Sequence, residues 1–212
     1  MDAQRLVWVH TSDPGGSGSG YLIGPQLVLT ALHVVLPDGR WPAQVEARVG
    51  HPRFGGVTRR HAEVCWPDTR LGVPPADALD VALLWLTKPV PATDGPVRWG
   101  QPGGTAPLLF EGAGFPVFAD EADCGEFEHL RGELSVVSTA SSAWVLDCRP
   151  VWPAPGRDGA RPWAGASGAA IFCGDRLIGV AVEDSRTMDW RRLYAAPIHE
   201  ALSLPGFANL VT

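Results

Sequence analysis

The chain has 212 residues, of which 45% are hydrophobic and 19% charged, and its formal net charge at pH 7 is −6. This composition supplies enough apolar material for a core and differs from the highly charged composition of disordered chains. The acidic balance argues against nucleic acid and membrane surfaces as partners, because both attract clustered lysine and arginine. The 25 glycines and 20 prolines follow no fixed period and indicate many tight turns between short strands.

The sequence contains no segment that predicts export or a membrane span. The first five residues include an acidic residue at position 2, and no apolar segment with a small-residue cleavage site follows them. The most apolar stretch, residues 21–36, is interrupted by a Gly-Pro-Gln turn and by His33, which makes it too broken to cross a bilayer. We therefore expect a cytoplasmic protein.

Short β-rich runs separated by turn residues predict about six strands in the first half of the chain. These strands cover Leu6–His10, Gly20–Ile23, Leu27–Thr30, Val45–Val49, His61–Cys65 and Val81–Leu86. The Gly-Pro-Gln connection between the second and third strands is typical of a hairpin. The preceding glycine-serine tract, residues 15–20, lacks the Gly-Lys-Ser/Thr ending of a phosphate-binding loop, and we interpret it as a flexible loop.

A proline-rich stretch, residues 87–96, divides the chain into two similar halves. It cannot donate a full ladder of backbone hydrogen bonds, so we interpret it as a connector between residues 1–93 and residues 94–212. The second half contains about six more predicted strands. They cover Pro107–Glu111, Glu133–Ser138, Ala143–Leu146, Ala169–Cys173, Leu177–Val182 and Leu193–Ala196. One short helix is predicted over Pro197–Leu204, and the following Pro-Gly pair is expected to end it.

The chain has four widely spaced cysteines: Cys65, Cys124, Cys148 and Cys173. In a reducing compartment such residues are free thiols that pack like small apolar side chains. A zinc site that combines Cys65 and Cys124 with His61 and His129 is disfavoured, because this set lacks a Cys-x-x-Cys pair. We expect no metal and no cofactor.

Three residues are candidates for nucleophilic catalysis, which needs a base, a carboxylate that orients the base, and a nucleophile. His33 follows a predicted strand directly, within Thr-Ala-Leu-His. Asp80 opens the apolar run Asp-Val-Ala-Leu-Leu and is better positioned than Asp77, which is separated from that strand. In isolation, a histidine of this kind is more often structural and an aspartate of this kind more often caps a turn.

Ser167 is the candidate nucleophile. It lies in a turn of small residues, Gly-Ala-Ser-Gly, that leads into an apolar strand. Small residues allow a peptide carbonyl to approach the backbone, and the N–H groups of Gly165 and Ser167 are the candidate donors to an oxyanion. An ordinary Gly-Ser turn is the alternative interpretation.

The three motifs occur in the order His33, Asp80, Ser167. In this order and in the motifs themselves, the sequence resembles the chymotrypsin/trypsin-like serine peptidases, from about Gly18 to Ile198. Subtilisins and α/β-hydrolases place the same groups in other orders. The resemblance implies an all-β fold of two six-stranded antiparallel barrels with a short C-terminal helix, and a site in the cleft between the barrels. It also implies a serine endopeptidase that acts on protein or peptide substrates.

Three features depart from the secreted digestive members of that family, and the mildest is Ala169-Ala170 after Ser167-Gly168, which replaces small residues with small residues. Ala166 stands where those enzymes carry an aspartate that pairs with a newly cleaved amino terminus, so activation by that route is not expected. Val34 follows the histidine in place of a disulfide-bonded cysteine, which agrees with a reducing compartment. In these respects the chain is similar to the intracellular bacterial branch, whose members often form the protease module of larger signalling or defence proteins. A catalytically gated or inactive binding module, or an esterase or acyltransferase with the same triad, is the alternative.

The residues near Ser167 give conflicting indications about primary specificity. Arg161 stands six positions earlier, where the family places the base of its primary pocket, and would disfavour a basic residue at the cleavage site. Asp158, Glu183 and Asp184 would instead favour lysine or arginine, and solvated loop charges are the alternative for all four. The candidate pocket residues are Arg161, Val182 and Glu183.

Overall fold

The fold is taken from a computed structural model of the chain, which describes residues 1–91, 95–116, 126–138, 142–149, 163–184 and 192–211. The predicted boundary between residues 93 and 94 lies outside these ranges. Among the helices described, none has the length and apolar character that a bilayer crossing requires.

Six antiparallel strands form a closed first barrel. They are β1 (Leu6–Ser12), β2 (Gly16–Leu22), β3 (Leu27–Thr30), β4 (Gln44–His51), β5 (Gly56–Trp66) and β6 (Ala82–Leu86). Their order around the barrel is β1-β2-β3-β6-β5-β4, and β4 closes onto β1. In β4 every second side chain is buried, because successive side chains of a strand point to opposite faces of the sheet. The predicted hairpin between β2 and β3 is confirmed, with the Ile23 N–H donating to the Leu27 carbonyl at 2.8 Å.

The second barrel is built from the C-terminal half of the chain. Its strands are β7 (Arg98–Trp99), β8 (Leu108–Gly114), β9 (Glu128–Ser135), β10 (Trp144–Cys148), β11 (Ala170–Cys173), β12 (Arg176–Asp184) and β13 (Arg192–Pro197). Strands β11-β8-β9-β10-β13-β12 follow one another, pairing of β11 with β12 closes the barrel, and β7 adds to β12 in parallel. The expected all-β architecture of two six-stranded antiparallel barrels is therefore confirmed.

One predicted strand was displaced along the sequence. The prediction placed it at Glu133–Ser138, whereas β9 runs from Glu128 to Ser135. Continuous pairing with β8, from Leu108 opposite Leu134 to Gly114 opposite Glu128, extends β9 through polar residues that carry no strand signal. Val136 and Val137 favour strand locally but lie in a turn that the Ser138 N–H closes onto the Ser135 carbonyl at 3.2 Å.

Three short α-helices accompany the barrels within the described residues. The predicted C-terminal helix is confirmed in a shorter form, α2 (Ile198–Leu202), and α1 (Leu32–Val35) carries His33. The sequence did not predict α1, nor did it predict α3 (Phe207–Val211), which follows the Pro-Gly pair. Its first residue explains why it forms, because Phe207 is fully buried and packs edge-on against Trp66 of the first barrel with ring centroids 5.1 Å apart.

One cluster of buried apolar residues spans both barrels. It includes members of every strand of the first barrel together with Phe115, Phe172 and Phe207 from the C-terminal half. Tyr21 and Phe172 meet edge-on across the barrels with ring centroids 5.2 Å apart. A second cluster, around Leu134 and Ile171, fills the second barrel alone. The cluster that spans both barrels fixes the cleft between them.

The described cysteines are free thiols, as the sequence predicted. Cys148 is buried, and Cys65 and Cys173 are half-buried; Cys124 lies outside the described ranges. Burial raises the pKa of Cys65 and Cys173 to about 11 each and that of Cys148 to about 12. These thiols therefore stay protonated and behave as apolar packing groups near neutral pH.

Candidate active site

Pairing of β3 with β6 brings His33 and Asp80 together. Thr30, the last residue of β3, lies opposite Ala82, the first residue of β6, so the segment after β3 and the segment before β6 meet at one edge of the barrel. In α1 the neighbours of His33 are buried, and its own side chain remains 46% exposed. The imidazole therefore projects from a helix that is anchored in the core.

Asp80 contacts His33 through both carboxylate oxygens. Oδ2 lies 2.7 Å from Nδ1 of the His33 ring, and Oδ1 accepts a hydrogen bond from the His33 backbone N–H at 2.9 Å. A carboxylate at Nδ1 favours the tautomer with the proton on that nitrogen, which leaves Nε2 as an acceptor. The pair can thus take a proton at Nε2 while the aspartate holds the ring.

Ser167 lies in the turn that precedes β11. Within this turn the Ala166 N–H donates to the Trp163 carbonyl at 2.9 Å, and the Gly168 N–H donates to the Ala181 carbonyl of β12 at 2.7 Å. Ser167 and His33 line the same cavity of about 230 Å³. Among the described residues, the Ser167 hydroxyl makes its hydrogen bond to the Val182 carbonyl at 3.5 Å rather than to His33.

The two predicted oxyanion donors border this cavity. Gly165 and Ser167 both line it, and their backbone N–H groups have no hydrogen-bond acceptor within the described residues. The N–H groups of Ala166 and Gly168, by contrast, are both engaged. The turn thus leaves two alternate N–H groups unbonded beside the candidate nucleophile, so both can donate to a bound group.

Ala166 is buried among apolar side chains. It is 1% exposed and belongs to the apolar cluster of the second barrel, as does Trp163. An aspartate at this position would be buried among apolar side chains and would need a cation beside it. The alanine that replaces the family's aspartate at this position therefore packs in the apolar core beneath the nucleophile turn.

The turn is tied to the first barrel by β2. The Ser19 N–H donates to the Ser167 carbonyl at 2.6 Å, and the Ser19 hydroxyl donates to the Gly165 carbonyl at 2.7 Å. The sequence prediction of a flexible glycine-serine loop over residues 15–20 was wrong, since residues 16–22 form β2. Both segments have glycines where they meet: a Cβ at Gly168 would overlap the Ser19 carbonyl oxygen, and a Cβ at Gly18 would lie 2.9 Å from the Ser167 carbonyl oxygen.

Of the three candidate pocket residues, the structure describes Val182 and Glu183. Val182 lines the cavity beside Ser167, together with residues that the sequence did not single out: Ser17, Trp163, Ala164, Ala181 and Leu193. Glu183 is part of β12, where it pairs with Tyr194 of β13. Arg161 and Asp158 lie outside the described ranges. In the sequence, Ala181 and Leu193 are apolar residues of predicted strands, and no local signal separates them from ordinary core residues.

Within the described ranges, no group of three or more histidine, cysteine, aspartate or glutamate side chains is arranged to hold a metal ion. The site consists instead of an imidazole, a carboxylate, a hydroxyl and two backbone donors around one cavity. This set supports proton transfer and nucleophilic attack.

No protein-family model matches the sequence, and no match was found among curated protein sequences. Solved structures do match along nearly the whole chain. A Glu endopeptidase matches with a TM-score of 0.68 at 16% identity, over 98% of this chain and 90% of that one. The active form of the Rv3671c protease from M. tuberculosis matches with a TM-score of 0.63 at 14% identity, over 96% and 82%.

Deg5 matches with a TM-score of 0.60 at 14% identity, over 94% of this chain and 86% of that one. An inactive form of the Rv3671c protease matches with a TM-score of 0.61, also at 14% identity, over 99% and 89%. At these identities the likeness establishes the chymotrypsin-like fold of the chain.

Proposed function

We propose that the chain is a serine endopeptidase that hydrolyses peptide bonds through an acyl-enzyme intermediate. The observation that carries the proposal is the 2.7 Å contact between His33 Nδ1 and Asp80, made at the cavity that Ser167 also lines. The chymotrypsin-like fold supports it, because such barrels present a base and a nucleophile from opposite sides of one cleft. Here His33 and Asp80 come from the first barrel and Ser167 from the second.

In the proposed mechanism, His33 Nε2 accepts the proton of the Ser167 hydroxyl as Oγ attacks the scissile carbonyl carbon. The carbonyl oxygen becomes an oxyanion that the N–H groups of Gly165 and Ser167 stabilise. The imidazolium, held by Asp80, then donates its proton to the leaving amine. Water attacks the acyl-enzyme with His33 again as base, and Ser167 is regenerated. Every proton in this cycle is carried by His33, so the proposal needs no metal or cofactor.

The alternative function is a catalytically gated or inactive module with the same fold. It is favoured by the hydrogen bond of the Ser167 hydroxyl to the Val182 carbonyl, which would have to break before His33 receives the proton. The active and inactive forms of the Rv3671c protease match this chain almost equally well, so the fold does not separate the two functions.

Several wider expectations accompany the proposal. We place the protein in the cytoplasm, as part of the intracellular bacterial branch, where it serves as a protease module of a larger signalling or defence protein. Free thiols at Cys65, Cys148 and Cys173 agree with a reducing compartment. The substrates proposed are proteins or peptides, and the candidate pocket comprises Arg161, Val182 and Glu183.

A fluorophosphonate probe tests the catalytic proposal directly, because it labels only a serine that is activated as a nucleophile. We expect labelling of the wild-type chain at Ser167, none of Ser167→Ala, and strongly reduced labelling of His33→Ala. Ser17→Ala is the matched control, since Ser17 lines the same cavity but lies outside the nucleophile turn. Peptide mass spectrometry identifies the labelled residue.

The remaining outcomes separate the alternatives. Equal labelling of wild type and Ser167→Ala contradicts the catalytic proposal. Labelling at Ser167 without cleavage of any member of a broad peptide library favours a gated module or an esterase, and an assay with p-nitrophenyl esters then distinguishes these two.

A further inference from the structure

Ser19 connects the two barrels at the nucleophile turn. It lies in β2 with no exposed surface, and its hydroxyl donates to the Gly165 carbonyl at 2.7 Å while accepting from the Phe115 N–H at 2.9 Å. Its backbone N–H donates to the Ser167 carbonyl at 2.6 Å, and its carbonyl accepts from the Thr30 hydroxyl at 2.7 Å. The polar groups of this one residue thus make four hydrogen bonds, two of them to the turn.

The two bonds to the turn fix the peptide groups around the oxyanion donors. The Gly165 carbonyl belongs to the same planar peptide as the Ala166 N–H, which donates to the Trp163 carbonyl, so this peptide is held at both ends. The bound Ser167 carbonyl holds the next part of the turn. Between and beside these anchored groups lie the N–H groups of Gly165 and Ser167, which have no acceptor within the described residues.

We propose that Ser19 is a positioning residue for the oxyanion donors, and this inference rests on the proposed protease function. Its hydroxyl sets the rotation of the Gly165–Ala166 peptide. This peptide lies between the two peptides that carry the N–H groups of Gly165 and Ser167, so holding it makes these N–H groups converge before substrate arrives. Ser19 itself is buried behind the turn and touches no reacting atom. Such donors help catalysis only when they are fixed in advance, because reorienting them during the reaction cancels part of the stabilisation.

Ser19→Ala removes the hydroxyl and leaves the backbone bond to Ser167 in place. Deleting an oxyanion donor outright costs about 10²–10³ in kcat. Because both donors remain here but lose their anchor, we expect kcat to fall by about 10- to 100-fold, a part of that loss. KM should change by less than about threefold, since the substrate ground state does not depend on the oxyanion donors.

Thr30→Val is the matched control. Thr30 is also fully buried and belongs to the same hydrogen-bond network, but its hydroxyl bonds to the Ser19 carbonyl and not to the turn. Both variants remove one buried hydroxyl, but Ser19→Ala breaks two hydrogen bonds and Thr30→Val breaks one, so Ser19→Ala should be the less stable of the two. Urea unfolding measures this difference, and kinetics are compared under conditions in which both variants are folded. Only Ser19→Ala should lower kcat beyond about twofold.

A second measurement reports on the oxyanion itself. A peptidyl trifluoromethyl ketone with ¹³C at the ketone carbon forms a hemiketal when Ser167 Oγ bonds to that carbon and the hydroxyl proton passes to His33. The ¹³C shift then follows ionisation of the hemiketal oxygen with pH. In Ser19→Ala this ionisation should move upward by about one to two pH units, which is the 10- to 100-fold loss expressed as proton affinity. Should Ser19→Ala not fold, Ser19→Cys, with its weaker thiol donor, should give a smaller shift in the same direction.

The outcomes distinguish this inference from the proposed function. If the wild type is labelled and cleaves peptides, but Ser19→Ala loses no more kcat than Thr30→Val or leaves the hemiketal ionisation unmoved, the positioning role is wrong and the protease proposal stands. If the wild type is neither labelled by fluorophosphonate nor active on any peptide, both are overturned.

Discussion

Asp80 divides its two oxygens between the ring and the backbone of the same histidine. The contact at Nδ1 fixes the orientation of the imidazole, and the contact to the His33 N–H fixes the start of α1. An isosteric amide at position 80 would present a donor to one of these groups, where both contacts need an acceptor. In the proposed protease, the aspartate is therefore needed both for its charge and for the tautomer that it selects.

At the scale of this residue, we predict that Asp80→Asn lowers kcat by about 10⁴-fold, because the ring adopts the wrong tautomer and Nε2 no longer accepts the serine proton. KM should change little. Steady-state kinetics on a peptide chosen from the library measures both values.

Asp77→Asn is the control for that prediction. Asp77 is exposed and belongs to the same segment, and its replacement should leave kcat within about twofold of the wild type. A large loss in Asp77→Asn, with Asp80→Asn active, would show that the orienting carboxylate had been assigned to the wrong residue.

The nucleophile turn is shaped by its close approach to β2. Gly168 has a φ of +92°, and a Cβ there would overlap the carbonyl oxygen of Ser19. Gly174, in the turn between β11 and β12, also has a positive φ, +60°, but a Cβ there would meet no atom within 4 Å. The two glycines therefore separate the cost of backbone strain from the cost of contact between the barrels.

At the scale of this element, Gly174→Ala should destabilise the protein by about 1–2 kcal/mol through the left-handed backbone alone. Gly168→Ala should cost about 1–3 kcal/mol more, because β2 and the turn must move apart. Chemical denaturation followed by circular dichroism gives both free energies. Equal losses in the two variants would mean that the contact with β2 is easily relaxed.

The elements also show which parts of the fold a sequence can predict. Strands with alternating buried residues, such as β4, and the hairpin before His33 were predicted because their signals are local. The position of β9 was not, since its polar residues become strand only through pairing with β8. The Ser19 contacts could not be predicted either, because they too depend on a segment that is distant in sequence. Gly165 and Ser19 are distant in sequence, and a glycine-serine tract resembles a loop until another backbone packs on it.

The sequence predicted the order of the candidate triad residues along the chain, but it could not predict the distances between their side chains. His33 and Asp80 each had a local motif, and their contact at 2.7 Å depends on the antiparallel pairing of β3 with β6. The cavity is lined by five separate segments: Ser17, His33, residues 163–167, residues 181–182 and Leu193. Besides His33 and the nucleophile turn, the sequence analysis selected only Val182 from this set as a pocket residue. Trp163, Ala164, Ala181 and Leu193 look like ordinary core residues in the sequence, and Ser17 lies in the tract that was interpreted as a loop.

The whole molecule is held together by side chains that cross between the barrels. Phe207 of α3 is fully buried against Trp66 of β5, and the Trp66 ring N–H also donates to the Pro205 carbonyl at 3.4 Å. The C-terminal helices thereby fasten the end of the chain to the first barrel. A loss of packing here should affect both barrels together.

At the scale of the molecule, Phe207→Ala should lower the free energy of unfolding by about 3–5 kcal/mol, the usual cost of emptying a buried aromatic site. Tryptophan fluorescence and far-ultraviolet circular dichroism should report a single shared transition, because the barrels have a common core. Asn209→Ala, an exposed position of the same helix, should change stability by less than about 0.5 kcal/mol. Two separate transitions in the wild type would contradict the shared core.

The division of the site between the barrels also has a consequence during protein synthesis. The base and its carboxylate are complete once β6 has left the ribosome, but the nucleophile turn comes much later, and β13, which the second barrel needs in order to close, later still. A nascent or prematurely terminated chain without residues 163–168 carries an imidazole and a carboxylate with no hydroxyl to activate. In the proposed protease, chain order would thus postpone reactivity until almost all of the fold has been made.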